Sequence, residues 1–76
     1  MLKEIRQARC MSQNDLATAT GIPIRMIQAY EQGYRNINGA KLTTLLQMCN
    51  ALNCSIDQIV TDESLIARIN TYMNKL

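Results

Sequence analysis

The sequence predicts an all-α fold, a compact five-helix domain followed by one amphipathic C-terminal helix. Three observations carry that prediction. Apolar residues recur at helical spacing along the 76-residue chain. Helix-start and helix-stop residues punctuate the pattern at short intervals. The composition, 47% apolar and 18% charged with three Gly and one Pro, suits a compact helical chain rather than disorder. A chain of this length buries only roughly 60% of its unfolded surface, so its core has to be economical.

The first helix is expected over about residues 2–9, with Leu2 and Ile5 inward. Ser12-x-x-Asp15 has the form of a capping box, so the second helix starts there, its acid well placed against the helix dipole. It turns Leu16 and Ala17 inward and stops near Thr20-Gly21, because Gly takes the left-handed conformation without steric cost. The third helix opens at Ile22-Pro23, where the fixed φ of Pro suits a first turn, and ends at Gln32-Gly33. A loop from Tyr34 to Gly39 leads to a fourth helix over about residues 40–52. Its Leu42, Leu45, Leu46, Cys49 and Leu52 repeat at helical spacing and are expected to supply much of the core. Asn53 can stop this helix, and Ser55-x-x-Gln58 then caps a short fifth one that turns Ile56, Ile59 and Val60 inward. The last helix, about residues 62–76, has Asp62 and Glu63 in its first turn.

Several chemistries have no residues to run on. The chain has no His and no Trp, which removes imidazole catalysis, imidazole metal ligation and histidine switching. Cys10, Cys49 and Cys54 are odd in number and lack C-x-x-C spacing, so neither a disulfide framework nor a zinc site is expected. Cys49 and Cys54 are expected in the core and Cys10 at the surface. The five Met are expected to fill core gaps, except Met26 on the flank of the third helix. The six carboxylates are scattered and form no acid–base pair, and no Gly-rich phosphate loop is present. An enzyme, a metal and a cofactor are all unexpected. With no signal-peptide or membrane-span pattern, a reduced cytoplasmic chain is expected.

The segment from Ser12 to Gly33 carries the functional information. Two short helices around Gly21 form a tight corner rather than a hairpin. On the third helix Ile27 and Tyr30 fall on one side. Arg25, Gln28, Ala29 and Gln32, at i, i+3, i+4 and i+7, fall on the other. Arg pairs bidentately with guanine and Gln with adenine, and Ala lets a helix approach closely and touch a thymine methyl. Ile24 at the edge of that face adds a second apolar contact of this kind. Alone, such a face also fits a merely solvated helix surface.

The wider pattern resembles a known family. Ser12-Gln13-x-Asp15-Leu16-Ala17-x-x-x-Gly21-Ile22, followed by Ile27-x-x-Tyr30-Glu31-x-Gly33, is similar to the helix-turn-helix signature of phage repressor and Cro-type (XRE-like) regulators. The likeness begins at Leu2-x-x-Ile5-Arg6, runs through Leu45-x-x-Met48-x-x-Ala51-Leu52-x-Cys54-Ser55-Ile56, and covers about the first 60 residues. It implies that residues 1–60 are a DNA-binding domain and that Ile24, Arg25, Gln28 and Ala29 read bases, and Gln32, on the same helix face, is expected to join them. It further implies that Gln13, Tyr34, Arg35 and Asn36 meet phosphates, and that Arg6 and Glu31 form a structural salt bridge. Two residues depart from the pattern. Pro23 stands where Ser or Thr is usual, which removes a side-chain phosphate contact there. Cys10 replaces a usual Gly after the first helix, so the backbone there either avoids the left-handed region or enters it with strain.

Residues 61–76 fall outside the shared pattern and form an amphipathic helix with Leu65, Ile66, Ile69, Tyr72, Met73 and Leu76 on one stripe. That stripe either completes the core or pairs with a second subunit. The homodimer is preferred, since one module offers few base contacts and dimers read half-sites about 34 Å apart. The expected partner is a double-stranded, pseudo-palindromic DNA operator, and the expected role that of a transcriptional repressor. An antitoxin-type interaction protein with autoregulatory DNA binding, or a restriction-system controller protein, is the alternative, with a toxin or polymerase as protein partner. The net charge of +2 is too small to name a partner by itself, but its placement is informative. Residues 1–35 carry five basic and three acidic side chains, whereas residues 36–76 carry three of each.

Overall fold

Short polar side chains set the helix boundaries. The computed structural model describes all 76 residues and contains six α-helices: α1 (Leu2–Ala8), α2 (Gln13–Thr20), α3 (Ile24–Gln32), α4 (Leu42–Leu52), α5 (Ile56–Ile59) and α6 (Glu63–Met73). Ser12 Oγ accepts from the Asp15 N–H at 2.9 Å, and Asp15 Oδ2 accepts in turn from the Ser12 N–H at 2.9 Å, closing the capping box of α2. At α5 the backbone N–H of Ser55 donates to Gln58 Oε1 at 2.9 Å. Asp62 caps α6 by accepting from the Ser64 N–H at 2.9 Å. At the other ends, Gly21, Gly33 and Asn53 terminate α2, α3 and α4 in the left-handed region.

Three boundaries differ from those the sequence suggests. Pro23 is the N-cap of α3 with ψ 137°, so the helix proper starts at Ile24. Ile37–Gly39 forms a 3-10 turn and Ala40 and Lys41 are extended, which delays α4 to Leu42. The last helix ends at Met73 rather than at the C-terminus.

The core gathers one face from each helix. α4 contributes Leu45, Met48, Cys49 and Leu52, all under 7% exposed and spaced i, i+3, i+4, i+7. Leu42 and Leu46, expected inside, are 61% and 44% exposed. They lie at the edge of the same apolar stripe, which is wider than the surface that α2 and α5 cover. Met48, by contrast, sits at the centre of the core. Leu16, Ile27, Leu52 and Ile59 complete the set of large side chains with no remaining exposure. Met11 and Met26 pack against them, but Met1 and Met73 are more than half exposed and fill no gap.

Cysteine placement follows the same logic. Cys49 is buried, Cys54 half-buried and Cys10 exposed. Burial, with Cys54 alongside, pushes the Cys49 thiol up to about 12, so it stays protonated and behaves as a small hydrophobe. Cys10 adopts φ 57°, the left-handed conformation that Gly would take there at no steric cost. On α6, Leu65, Ile66 and Ile69 pack half-buried against the core, whereas Tyr72, Met73 and Leu76 are exposed. No helix is long and apolar enough to cross a membrane.

Candidate nucleic-acid interface

The corner between α2 and α3 is held by a few local contacts. Thr20 Oγ1 donates to the Leu16 carbonyl at 2.7 Å and accepts from the Ile22 N–H at 3.1 Å. Gly21 at φ 75° lets its own N–H reach the Ala17 carbonyl at 2.9 Å while the chain turns. Ile22 and Ile27 are buried, and together they fix both the start and the roll of α3. The opposite face of α3 is consequently turned out. Ile24, Arg25 and Gln32 are exposed there, with Gln28 and Ala29 half-buried between them.

Behind that face lies a chain of hydrogen bonds that spans three helices. Arg6 Nε and Nη2 donate to the two carboxylate oxygens of Glu31 at 2.7 and 2.9 Å, and Arg6 Nη1 donates to the Met11 carbonyl at 2.8 Å. The side chains of Arg6 and Glu31 are only 8% and 2% exposed. Gln13 Nε2 donates to Glu31 Oε1 at 3.1 Å, and Gln28 Nε2 donates to Gln13 Oε1 at 3.2 Å. Burial alone would raise the Glu31 carboxyl. The hydrogen bonds from Arg6 and Gln13, with the charges of Arg6 and Lys3, outweigh it and hold the group below the usual carboxylate range. Arg6 is raised in turn by its hydrogen bond to Glu31. Asp15 is lowered by the Ser12 backbone N–H and hydroxyl of its capping box.

The loop after α3 is shaped by the same economy of backbone groups. The Ala29 carbonyl accepts from the N–H groups of Tyr34 and Arg35 at 2.9 and 3.1 Å, which folds the loop back beside α3. Tyr34, Arg35 and Asn36 are all exposed, Tyr34 by 83%. Arg35 shares a shallow hollow with Pro23, Arg25 and Met26, so two arginines outside any ion pair flank the first turn of α3. With Arg6 neutralised by Glu31, Arg25 and Arg35 are the basic side chains of the N-terminal half that flank this face.

A family model described as helix-turn-helix matches residues 2–59. The chain belongs to the helix-turn-helix family. It is a DNA-binding transcription regulator of the phage-repressor and Cro type. No curated protein and no solved structure matches the chain. In this helix-turn-helix unit α2 and α3 are the paired helices, and α3 is the one whose polar face stands clear of the core.

Two residues that tie distant segments of the domain together have no sequence signature. Arg9 Nε donates to the Leu52 carbonyl at 2.8 Å and so caps the C-terminus of α4 from 43 residues away. Asn38 Oδ1 accepts from the N–H groups of Thr61 and Asp62 at 2.7 and 3.0 Å, and its Nδ2 donates to Thr61 Oγ1 at 2.9 Å. Asn38 thereby ties the loop after α3 to the start of α6. Both are long-range partners of backbone groups, which no local pattern encodes.

Proposed function

We propose that the chain is a sequence-specific transcriptional repressor of the cytoplasm, without enzymatic activity. It reads double-stranded DNA by laying α3 in the major groove. The observation that carries this reading is the outward face of α3, with Gln28 held to Gln13 and through it to the buried Arg6–Glu31 pair. Arg25, Gln28 and Gln32 present donors and acceptors that match base edges, and Ala29 and Ile24 supply small apolar contacts for thymine methyls. Gln13, Tyr34, Arg35 and the amide of Asn36 hold the flanking phosphates without reading sequence. α3 has nine residues and a length of roughly 13 Å, enough for about four base pairs. One subunit therefore reads little, and the protein acts as a homodimer on a pseudo-palindromic operator.

Footprinting the purified protein on the DNA upstream of its own gene tests this reading. A protected site with two related half-sites is expected. Equal affinity for that DNA and for random duplex would overturn it. Arg25→Ala is expected to relax preference at one base pair, at a cost of about 1–3 kcal/mol, while Arg35→Ala weakens all duplexes alike and flattens the salt dependence. A uniform loss in both variants would remove Arg25 from base reading.

A further inference from the structure

The exposed apolar surface is concentrated in one place. α4, α5 and α6 enclose an open groove of about 510 Å³, lined by Leu42, Leu46, Ile56, Ile69, Tyr72 and Met73 among others. Four of the eight exposed large hydrophobics of the whole surface lie in it: Leu42, Leu46, Tyr72 and Met73, each between 44% and 62% exposed. Scattered apolar side chains need no explanation, but a convergent set marks an interaction surface. No residue of α2 or α3 contributes, so an occupant of this groove leaves the reading face open.

Charge points to the occupant. The α5 wall carries Asp57 and the α6 wall carries Arg68, and neither belongs to an ion pair, the two in this chain being Met1–Glu4 and Arg6–Glu31. We propose that a second copy of this chain fills the groove by two-fold pairing, with Asp57 of each copy meeting Arg68 of the other. This names the interface of the homodimer proposed above and rests on that reading. A two-fold axis makes each contact occur twice with the partners exchanged, so one sequence has to supply both halves of every pair. The groove supplies both: an apolar floor with one free acid and one free base at its rim, the layout of an interface core inside a charged rim. α6 then divides its stripe. Leu65, Ile66 and Ile69 hold it to its own core, and Tyr72 and Met73 form the ridge that enters the partner's groove.

Sedimentation equilibrium on the full chain, from micromolar to millimolar, tests the proposal. The wild type is expected to reach twice the monomer mass. Leu42→Asp places an acid at an exposed first residue of α4, where it favours the helix, so the melt stays intact while self-association is lost. Asp57→Arg and Arg68→Asp are each expected to weaken self-association about tenfold or more, because like charges then face each other twice. Mixed together, one copy carries two bases and the other two acids at these positions, and a one-to-one heterodimer returns. A wild type that stays monomeric throughout overturns this interface and the homodimer together. A wild-type dimer that tolerates Leu42→Asp, or charge variants that do not recombine, overturns this interface alone and leaves the homodimer standing.

Discussion

Arg6 and Glu31 show how a single pair can serve stability and site geometry at once. Removing one partner leaves the other charged and nearly buried, which costs about 3–5 kcal/mol, a large share of the roughly 4–11 kcal/mol expected for a domain of this size. Replacing both by apolar residues avoids that penalty. The double variant Arg6→Met/Glu31→Leu is therefore expected to fold within about 2 kcal/mol of wild type, yet to bind DNA worse than its stability accounts for, since Gln13 loses its anchor. Urea titration and a DNA-binding isotherm on the same sample check this, and unimpaired binding would remove the pair from the site's geometry. The pair also sets an acid limit. Glu31 is held below its unfolded value, so its contribution is present above the usual carboxylate range and is lost as pH falls through the lower folded value. Wild-type stability should drop below roughly pH 4, and the double variant should drop less.

At the scale of elements, most of what defines the fold is written locally. Ser12, Ser55, Gly21, Gly33 and Asn53 mark helix ends because their side chains or permitted φ values act within a few residues. The α2–α3 corner and the outward face of α3 were legible for the same reason. The inward set of α4 was not, because an apolar stripe does not say how much of its width a neighbour will cover; Leu42 and Leu46 were left at the edge. The bonds of Arg9 to Leu52 and of Asn38 to Thr61 join residues far apart in sequence and leave no periodic trace. Cys10 was readable only as an alternative, since the next turn decides whether the chain has to enter the left-handed region. With φ at 57°, Cys10→Gly is expected to stabilise the domain by about 1 kcal/mol, measured as a raised melting temperature. An unchanged or lower melt would show that the left-handed turn carries no strain.

For the whole molecule, 35 × 23 × 20 Å, the question is whether α6 is an appendage or part of the body. Leu65, Ile66 and Ile69 cover the core beside α5, and Asp62 is bound through its N–H to Asn38. Deleting residues 62–76 is expected to cost about 3 kcal/mol from three half-buried aliphatic side chains, and urea denaturation reads the loss directly. A truncated chain as stable as the full one would make α6 an independent attachment.

The hydrogen-bonded row from Arg6 to Gln28 runs in one direction only. A guanidinium can only donate and a carboxylate can only accept, so Gln13 must turn its amide nitrogen toward Glu31 and its oxygen toward Gln28. Gln28, meeting an oxygen, must in turn offer its nitrogen. What remains free is then fixed: one N–H on Gln13, and one N–H with the carbonyl oxygen on Gln28. An ion pair closed off from solvent thus sets the polarity of the amides at the surface, and a side chain that could present either end to its surroundings is left with one.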